Sequence, residues 1–347
     1  MADWKISEEA AVLHRDAIVW DMLIPLAGHD TSPVIEEMLQ AMVDGGYTYV
    51  SFTVATDWHN MNESIHALGR YRTYFLAEPE KYLLIETVDD VLRAKKEGKL
   101  GISFHFQGTN PINGDLQMVE TYYKLGIRHM LIAYNIKNII GDGCMEQTDD
   151  GLSRLGVALV DEMNRVGMIV DGTHTGYRTT MDLFEVSKDP VIFSHSNPSG
   201  MWDIPRSIKD DQIKACAKTG GVISLNGVGI FLGDNDASTK MYLDHIDYVA
   251  KLVGPEHVGI GTDWLHPNER RANPPSAAHN PMQVHMDAHL KASGGKSRGP
   301  SWDKIDYVSP TQIPELTDHM LKRGYSEKEI RGVLGENMMG VAKKVWK

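Results

Sequence analysis

The chain has few cysteines, no long apolar runs and no excess of positive charge, and each shortage removes a class of protein. Cys144 and Cys216 are its only cysteines, too few for a disulfide framework or an all-thiolate zinc site, so a reducing compartment is the expected setting. No apolar run approaches the roughly 20 residues that a bilayer span needs. Lys and Arg number 35 against 47 Asp and Glu, for a formal net charge of −12 at pH 7. The acids are spread along the chain, which argues against nucleic-acid partners and leaves no basic footprint for a membrane surface. The opening MADWKISEEAAVLHRDAIVW has acids where a secretion signal needs a basic start and an uninterrupted apolar block. A cytoplasmic protein is the expectation.

What is present is an alternation of short apolar runs with longer amphipathic segments, the pattern of βα units around a parallel sheet. Eight runs read as strands: 17–24, 47–55, 100–106, 129–135, 168–174, 190–196, 221–228 and 257–264. Helical patterns lie between them. Ser32 and Pro33 open one that stops at Gly45-Gly46, and others cover 63–77, 89–97, 115–125, 152–166, 177–187, 210–218 and 238–253. Two more, 311–322 and 326–345, close the chain, the second with Ser326 as N-cap and Glu329 three residues on. A loop over 265–310, rich in Pro, Asn, Ser and Gly, follows the eighth run. With no internal repeat and no linker, residues 1–347 read as one α/β domain, a (β/α)8 TIM barrel with extra C-terminal helices.

A barrel enzyme carries its reactive groups at the C-terminal ends of its strands. Those ends offer Asp21, then Thr56, Asp57 and His59, then His105 and Gln107, then Tyr134 and Asn135. The later ends offer Asp171 and His174, then His195, Asn226 and Asp263. His174 and His195 follow consecutive runs, so both imidazoles should open into one mouth. With the Asp263 carboxylate they suit a zinc-like divalent ion and a bound water. Asp21 equally suits a loop cap. His105, between Phe104 and Phe106, equally suits the barrel interior, and His279, His285 and His289 suit a solvated loop.

Several motifs in sequence order are specific enough to name. The segments 159–168 (LVDEMNRVGM), 170–174 (VDGTH), 190–196 (PVIFSHS) with Arg206, 260–263 (IGTD), and 323–331 with Gly335-Glu-Asn337 resemble the membrane dipeptidase (renal dipeptidase) family. These are zinc metallopeptidases of the metal-dependent hydrolase type, with amidohydrolase-like barrels. The resemblance implies that His174 and His195 are metal ligands, that Arg206 binds a substrate carboxylate, and that Asp263 handles protons near a metal-bound water. It also implies a small, dipeptide-like substrate bearing a carboxylate. Dimers are common among such relatives, so a homodimer is the assembly to test for.

The departures from the family pattern are equally definite. Where the first strand should read Asp-x-His-x-Asp it reads Asp21-Met-Leu23-Ile-Pro25, and neither Leu23 nor Pro25 can bind a cation. Gln107 replaces the glutamate that bridges two ions, and Tyr134 stands where a substrate-contacting histidine is expected. The expectation is a reduced site with one Zn2+, completed by Asp263, His105 or Gln107, with Asp21 as a further pocket residue. The expected activity is metal-activated hydrolysis of a dipeptide or related small amide. The alternatives are a non-peptide amidohydrolase or lyase-like enzyme in the same pocket, or a metal-free barrel that binds a small carboxylate.

Overall fold

A computed structural model describes residues 4–26, 33–267 and 304–347. The Ser32 cap and residues 268–303 of the long loop, with His279, His285 and His289, lie outside the described residues. The strands are β1 Trp20–Pro25, β2 Tyr49–Thr56, β3 Tyr82–Leu84, β4 Leu100–Gln107, β5 Ile127–Leu131, β6 Ile169–Asp171, β7 Val191–Ile192, β8 Ile223–Leu225 and β9 Val258–Ile260. They pair in parallel in the order β7-β6-β5-β4-β2-β1-β9-β8. A parallel bridge between Phe193 and Ile223 joins the two ends, with Phe193 N donating to Val222 O and Ser224 N to Phe193 O at 3.0 and 2.8 Å. The fold is therefore a parallel (β/α)8 barrel. Every residue of β2 and β4 is buried, as expected for strands covered by helices outside and by barrel side chains inside.

Each of the eight expected runs overlaps one barrel strand. The extra one, β3, pairs with the start of β4 outside the ring. It is three half-buried residues long, too short to show a period. The helix Glu8–Asp16 was likewise not anticipated. It is capped by Ser7 and carries Glu8 and Glu9 in its first turn and Arg15 in its last, which complements its dipole. The expected helix over 326–345 divides into Glu327–Arg331, a π turn at Gly332–Glu336 and Asn337–Val345. At Gly335 the backbone passes so close to β1 that a Cβ would lie 2.5 Å from Ile18 O. Asn337 Nδ2 then donates to Pro255 O and Val258 O, both at 2.8 Å, tying the last helix to the entry of β9.

The barrel interior is layered. At the N-terminal end Trp20, Met22, Tyr49, Ile169, Ile192 and Val222 meet Met338 and Val341 of the last helix in one apolar plug. Above it lies a layer of Ser51, Thr53, Ser103, His105, His129, Asp171, Ser194, Ser224 and Thr262, none more than 1% exposed. The plug closes one end of the barrel, so its chemistry faces the other, where the strands lead into loops.

Candidate active site

His174 and His195 come together at that mouth. Their Nε2 atoms lie 3.0 Å apart and their ring centroids 4.9 Å. His174 Nδ1 donates to Asn135 Oδ1 at 2.5 Å, since an amide oxygen can only accept. In the neutral ring this leaves the His174 Nε2 lone pair facing its neighbour. His195 Nε2–H then donates to it, while His195 Nδ1 accepts from Ser194 Oγ at 2.8 Å. Burial first, then the charge of Arg206, holds both imidazoles well below the usual histidine pKa. His174, Asn135 and Asp263 have φ of 68, 63 and 53°. Three non-glycine residues in the left-handed region at one mouth are held there by their surroundings at a conformational cost, a common feature of functional sites.

Asp263 follows β9 and lies in the same field. Its Oδ2 accepts from Asn226 Nδ2 at 3.1 Å. Burial raises its pKa to about 7, against the lowering effects of Arg206 and Asn226. Arg206 is 5% exposed. Its Nη2 donates to His195 O at 2.9 Å and its Nη1 to Ser196 Oγ at 3.3 Å, while its buried Nε has no hydrogen-bond partner among the described residues. No described carboxylate forms an ion pair with it at contact distance, although Asp263 acts on it electrostatically. Tyr134 stacks over His174 with ring centroids 4.3 Å apart, and Trp58, 39% exposed, meets its edge at 6.0 Å. Cys144, with its thiol pKa raised by burial to about 11, donates through Sγ to Asn135 Oδ1.

The remaining sequence candidates sit apart from the histidine pair. Asp21 is wholly buried and accepts from Leu23 N, Thr262 N, Thr262 Oγ1 and Tyr47 OH, which fastens β1 to the end of β9. His105 lies deeper, its Nδ1 against Ser51 Oγ at 2.9 Å and its Nε2 against Thr53 Oγ1 at 2.8 Å. Gln107 Nε2 donates to Thr53 Oγ1. His59 bonds locally to Thr56. Asp57 is a hub: its carboxylate accepts from Thr109 N, Asn110 N, Tyr134 N and Asn138 Nδ2, all within 2.9 Å. A Cβ on Gly108 (φ 132°) would fall inside that carboxylate. A cleft of about 480 Å³ between Thr87 and Trp346 belongs to the plugged end of the barrel and shares no residue with the mouth.

The facing imidazoles of His174 and His195 can accommodate one metal ion. Both Nδ1 atoms have partners that orient the rings, the arrangement that ligating histidines require. The Ser194 hydroxyl can reverse its hydrogen bond, so that His195 carries its proton on Nδ1 and frees Nε2. Two nitrogens about 2.05 Å from a tetrahedral ion stand about 3.3 Å apart, so the observed 3.0 Å needs only a slight opening. Among the described residues no group of three or more His, Cys, Asp or Glu converges to hold an ion. Leu23 is wholly buried, and Gln107 is uncharged and bonded to Thr53, so among the described residues neither position offers a ligand for a second ion.

Asn135, Asn226, Asp171 and Ser194 also serve this site, and sequence reasoning gave them no role. Their place at or beside strand ends was visible, but which ring or carboxylate each faces depends on the fold. No helix among the described residues is long and apolar enough to cross a membrane.

Comparison with known proteins finds relatives of this chain. An uncharacterized dipeptidase of Schizosaccharomyces pombe is 34% identical over 188 residues, 52% of this chain and 45% of that protein. Dipeptidase verJ of Clonostachys rogersoniana is 26% identical over 296 residues, 85% of this chain and 68% of that protein. The chain thus spans less than half the length of the first of these relatives and about two thirds of the second. The crystal structure of an amidohydrolase from Pseudomonas aeruginosa superposes with a TM-score of 0.82 at 30% identity, covering 97% of this chain and 99% of that one. The model of the membrane dipeptidase family, peptidase family M19, matches residues 27–270. With that match over most of its length, on a barrel whose mouth gathers His174, His195, Arg206 and Asp263, the chain belongs to the membrane dipeptidase family.

Proposed function

We propose that this chain hydrolyses a dipeptide or related small amide at a site that holds a single divalent ion, zinc by family precedent. The observation that carries the reading is the pair of oriented imidazole Nε2 atoms 3.0 Å apart, with Asp263 and Arg206 in one electrostatic field beside them. His174 and His195 would hold the ion through their Nε2 atoms. The ion would supply Lewis acidity toward water and the scissile carbonyl. Asp263 accepts the water's proton at Oδ1, since Oδ2 is engaged by Asn226, and burial, which raises its pKa, strengthens it as a base. Arg206 is braced by His195 O and Ser196 Oγ, and its unpartnered Nε and remaining N–H groups bind the substrate carboxylate. Tyr134 and Trp58 wall the substrate on the His174 side.

Metal analysis and dipeptide hydrolysis test the proposal together. The expected result is about one zinc per chain, lost in His174→Ala and in His195→Ala, with hydrolysis abolished in Asp263→Asn. Two ions per chain would reject the single-ion site. Zinc uptake without cleavage of any member of a broad dipeptide panel would shift the reading to a non-peptide amide or a lyase-like step in the same pocket. Among the described residues, the lack of a third converging ligand and the direct histidine contact favour one other reading, a metal-free barrel that binds a small carboxylate through Arg206. It predicts carboxylate binding with no zinc uptake.

A further inference from the structure

Asp171 ends β6 and is 0% exposed. Its Oδ1 accepts from Thr173 N at 2.9 Å and from Ser194 N at 3.2 Å. Those residues immediately precede His174 and His195, so one carboxylate oxygen spans the gap between the two strand ends that carry the imidazoles. Thr173 reinforces the span, its Oγ1 lying 3.4 Å from Ser194 Oγ and 3.5 Å from His195 N. The second oxygen, Oδ2, accepts no hydrogen bond among the described residues. It faces Nε2 of His129 at 3.8 Å, a buried ring that stacks on His105 with centroids 4.3 Å apart and has neither nitrogen partnered among the described residues.

A buried carboxyl with one oxygen unsatisfied is costly, and an apolar side chain would fill the same layer of the barrel. We propose that Asp171 is a positioning residue: its Oδ1 bridge fixes the spacing and mutual facing of the His174 and His195 rings, and His129 lies beneath it as polar backing for Oδ2. This rests on the reading of the histidine pair as a metal site. His174 is the residue that most needs such a tether, because its φ of 68° is not one a histidine keeps unaided. The two rings must also open by only a few tenths of an ångström to accept an ion, so loose strand ends would lose the preorganisation on which affinity depends.

The test compares zinc affinity, measured by competition with a chelator, with thermal stability and with the imidazole 15N resonances of the metal-free protein. Asp171→Ala should weaken zinc binding by about tenfold or more and disperse the signature of the His174–His195 hydrogen bond. Asp171→Asn keeps an accepting Oδ1 and should restore most of the affinity. Asp171→Ser is too short to reach both amides and should behave like Asp171→Ala if the latter does not fold. His14→Gln, destabilising a helix remote from the mouth, should lower Tm with zinc affinity unchanged. Wild-type affinity and imidazole signals in both Asp171→Ala and Asp171→Ser would overturn the proposal, as would an equal loss of affinity in His14→Gln. If the wild-type protein takes up no zinc, the single-ion reading fails, and the imidazole resonances alone decide whether Asp171 positions the pair.

Discussion

Arg206 is buried, braced by its neighbours and, among the described residues, short of a partner at Nε. A guanidinium so placed is preorganised for a planar anion, whereas an ammonium on a shorter reach offers one point charge. Arg206→Lys should therefore raise KM for carboxylate-bearing substrates by about tenfold or more, the equivalent of one charge-assisted hydrogen bond at roughly 1.5–3 kcal/mol, with kcat changed far less. Steady-state kinetics on an acid substrate and its amide would show it, and an unchanged KM would remove Arg206 from carboxylate binding. At this scale the sequence was informative about residue type. His174, His195 and Asp263 could be picked out by their place after apolar runs, and Arg206 by the resemblance of the segment that follows His195. The partners that orient them could not, because Asn135, Asn226 and Asp171 matter only for the atoms they face.

Among the elements, the first helix depends on one neutral histidine. His14 is fully buried, Nε2–H donating to Gly45 O at 2.9 Å and Nδ1 accepting from Thr317 Oγ1 at 2.8 Å, and it thereby joins Glu8–Asp16 to the turn before β2 and to the helix Ile313–Lys322. Burial lowers its pKa from 6.5 to about 4. A depressed pKa means that the folded state binds fewer protons than the unfolded one, so the stability is whole above pH 6.5 and is lost as pH falls toward 4. The shift corresponds to about 3 kcal/mol. Asp21, raised by burial to about 6, acts in the opposite sense and favours the folded state at low pH. Urea unfolding of wild type and His14→Gln at pH 7 and pH 4 separates the two, because Asp21 is common to both. Wild type should lose more stability than the variant, and parallel losses would reject the role of His14. Capping residues such as Ser326 with Glu329 were legible here. The π turn at 332–336 was not, because it is imposed by the close approach of Gly335 to β1.

Across the whole molecule, closure of the barrel decides which glycines are indispensable. A Cβ on Gly261 would overlap the Ser194 carbonyl oxygen and lie 3.3 Å from His195 Cβ, whereas one on Gly69, in the helix Met61–Leu76, would meet nothing within 4 Å. Gly261→Ala should destabilise by about 1–3 kcal/mol or more through overpacking, and Gly69→Ala should stabilise by about 0.4–1 kcal/mol. Thermal unfolding of the two variants checks both signs, and a Gly261→Ala protein as stable as wild type would contradict the tight contact between the end of β9 and the His195 strand.

The amino-acid sequence by itself determined the eight-fold alternation, because apolar runs and helix stops are local signals that burial makes periodic. It also determined that the side chains of Leu23 and Pro25 cannot donate to a cation in any fold. It read the fourth strand as 129–135, whereas the structure has Ile127–Leu131, because residues beyond 131 leave the sheet to place Asn135 at the mouth in a left-handed conformation. Only the tertiary structure decided that Asp21 fastens β1 to β9, that His105 is enclosed by two hydroxyls, and that His174 and His195 face each other at 3.0 Å. Hydrogen-bond partners brought from distant parts of the chain depend on barrel closure, and spacing along a sequence carries no record of which atoms meet across it.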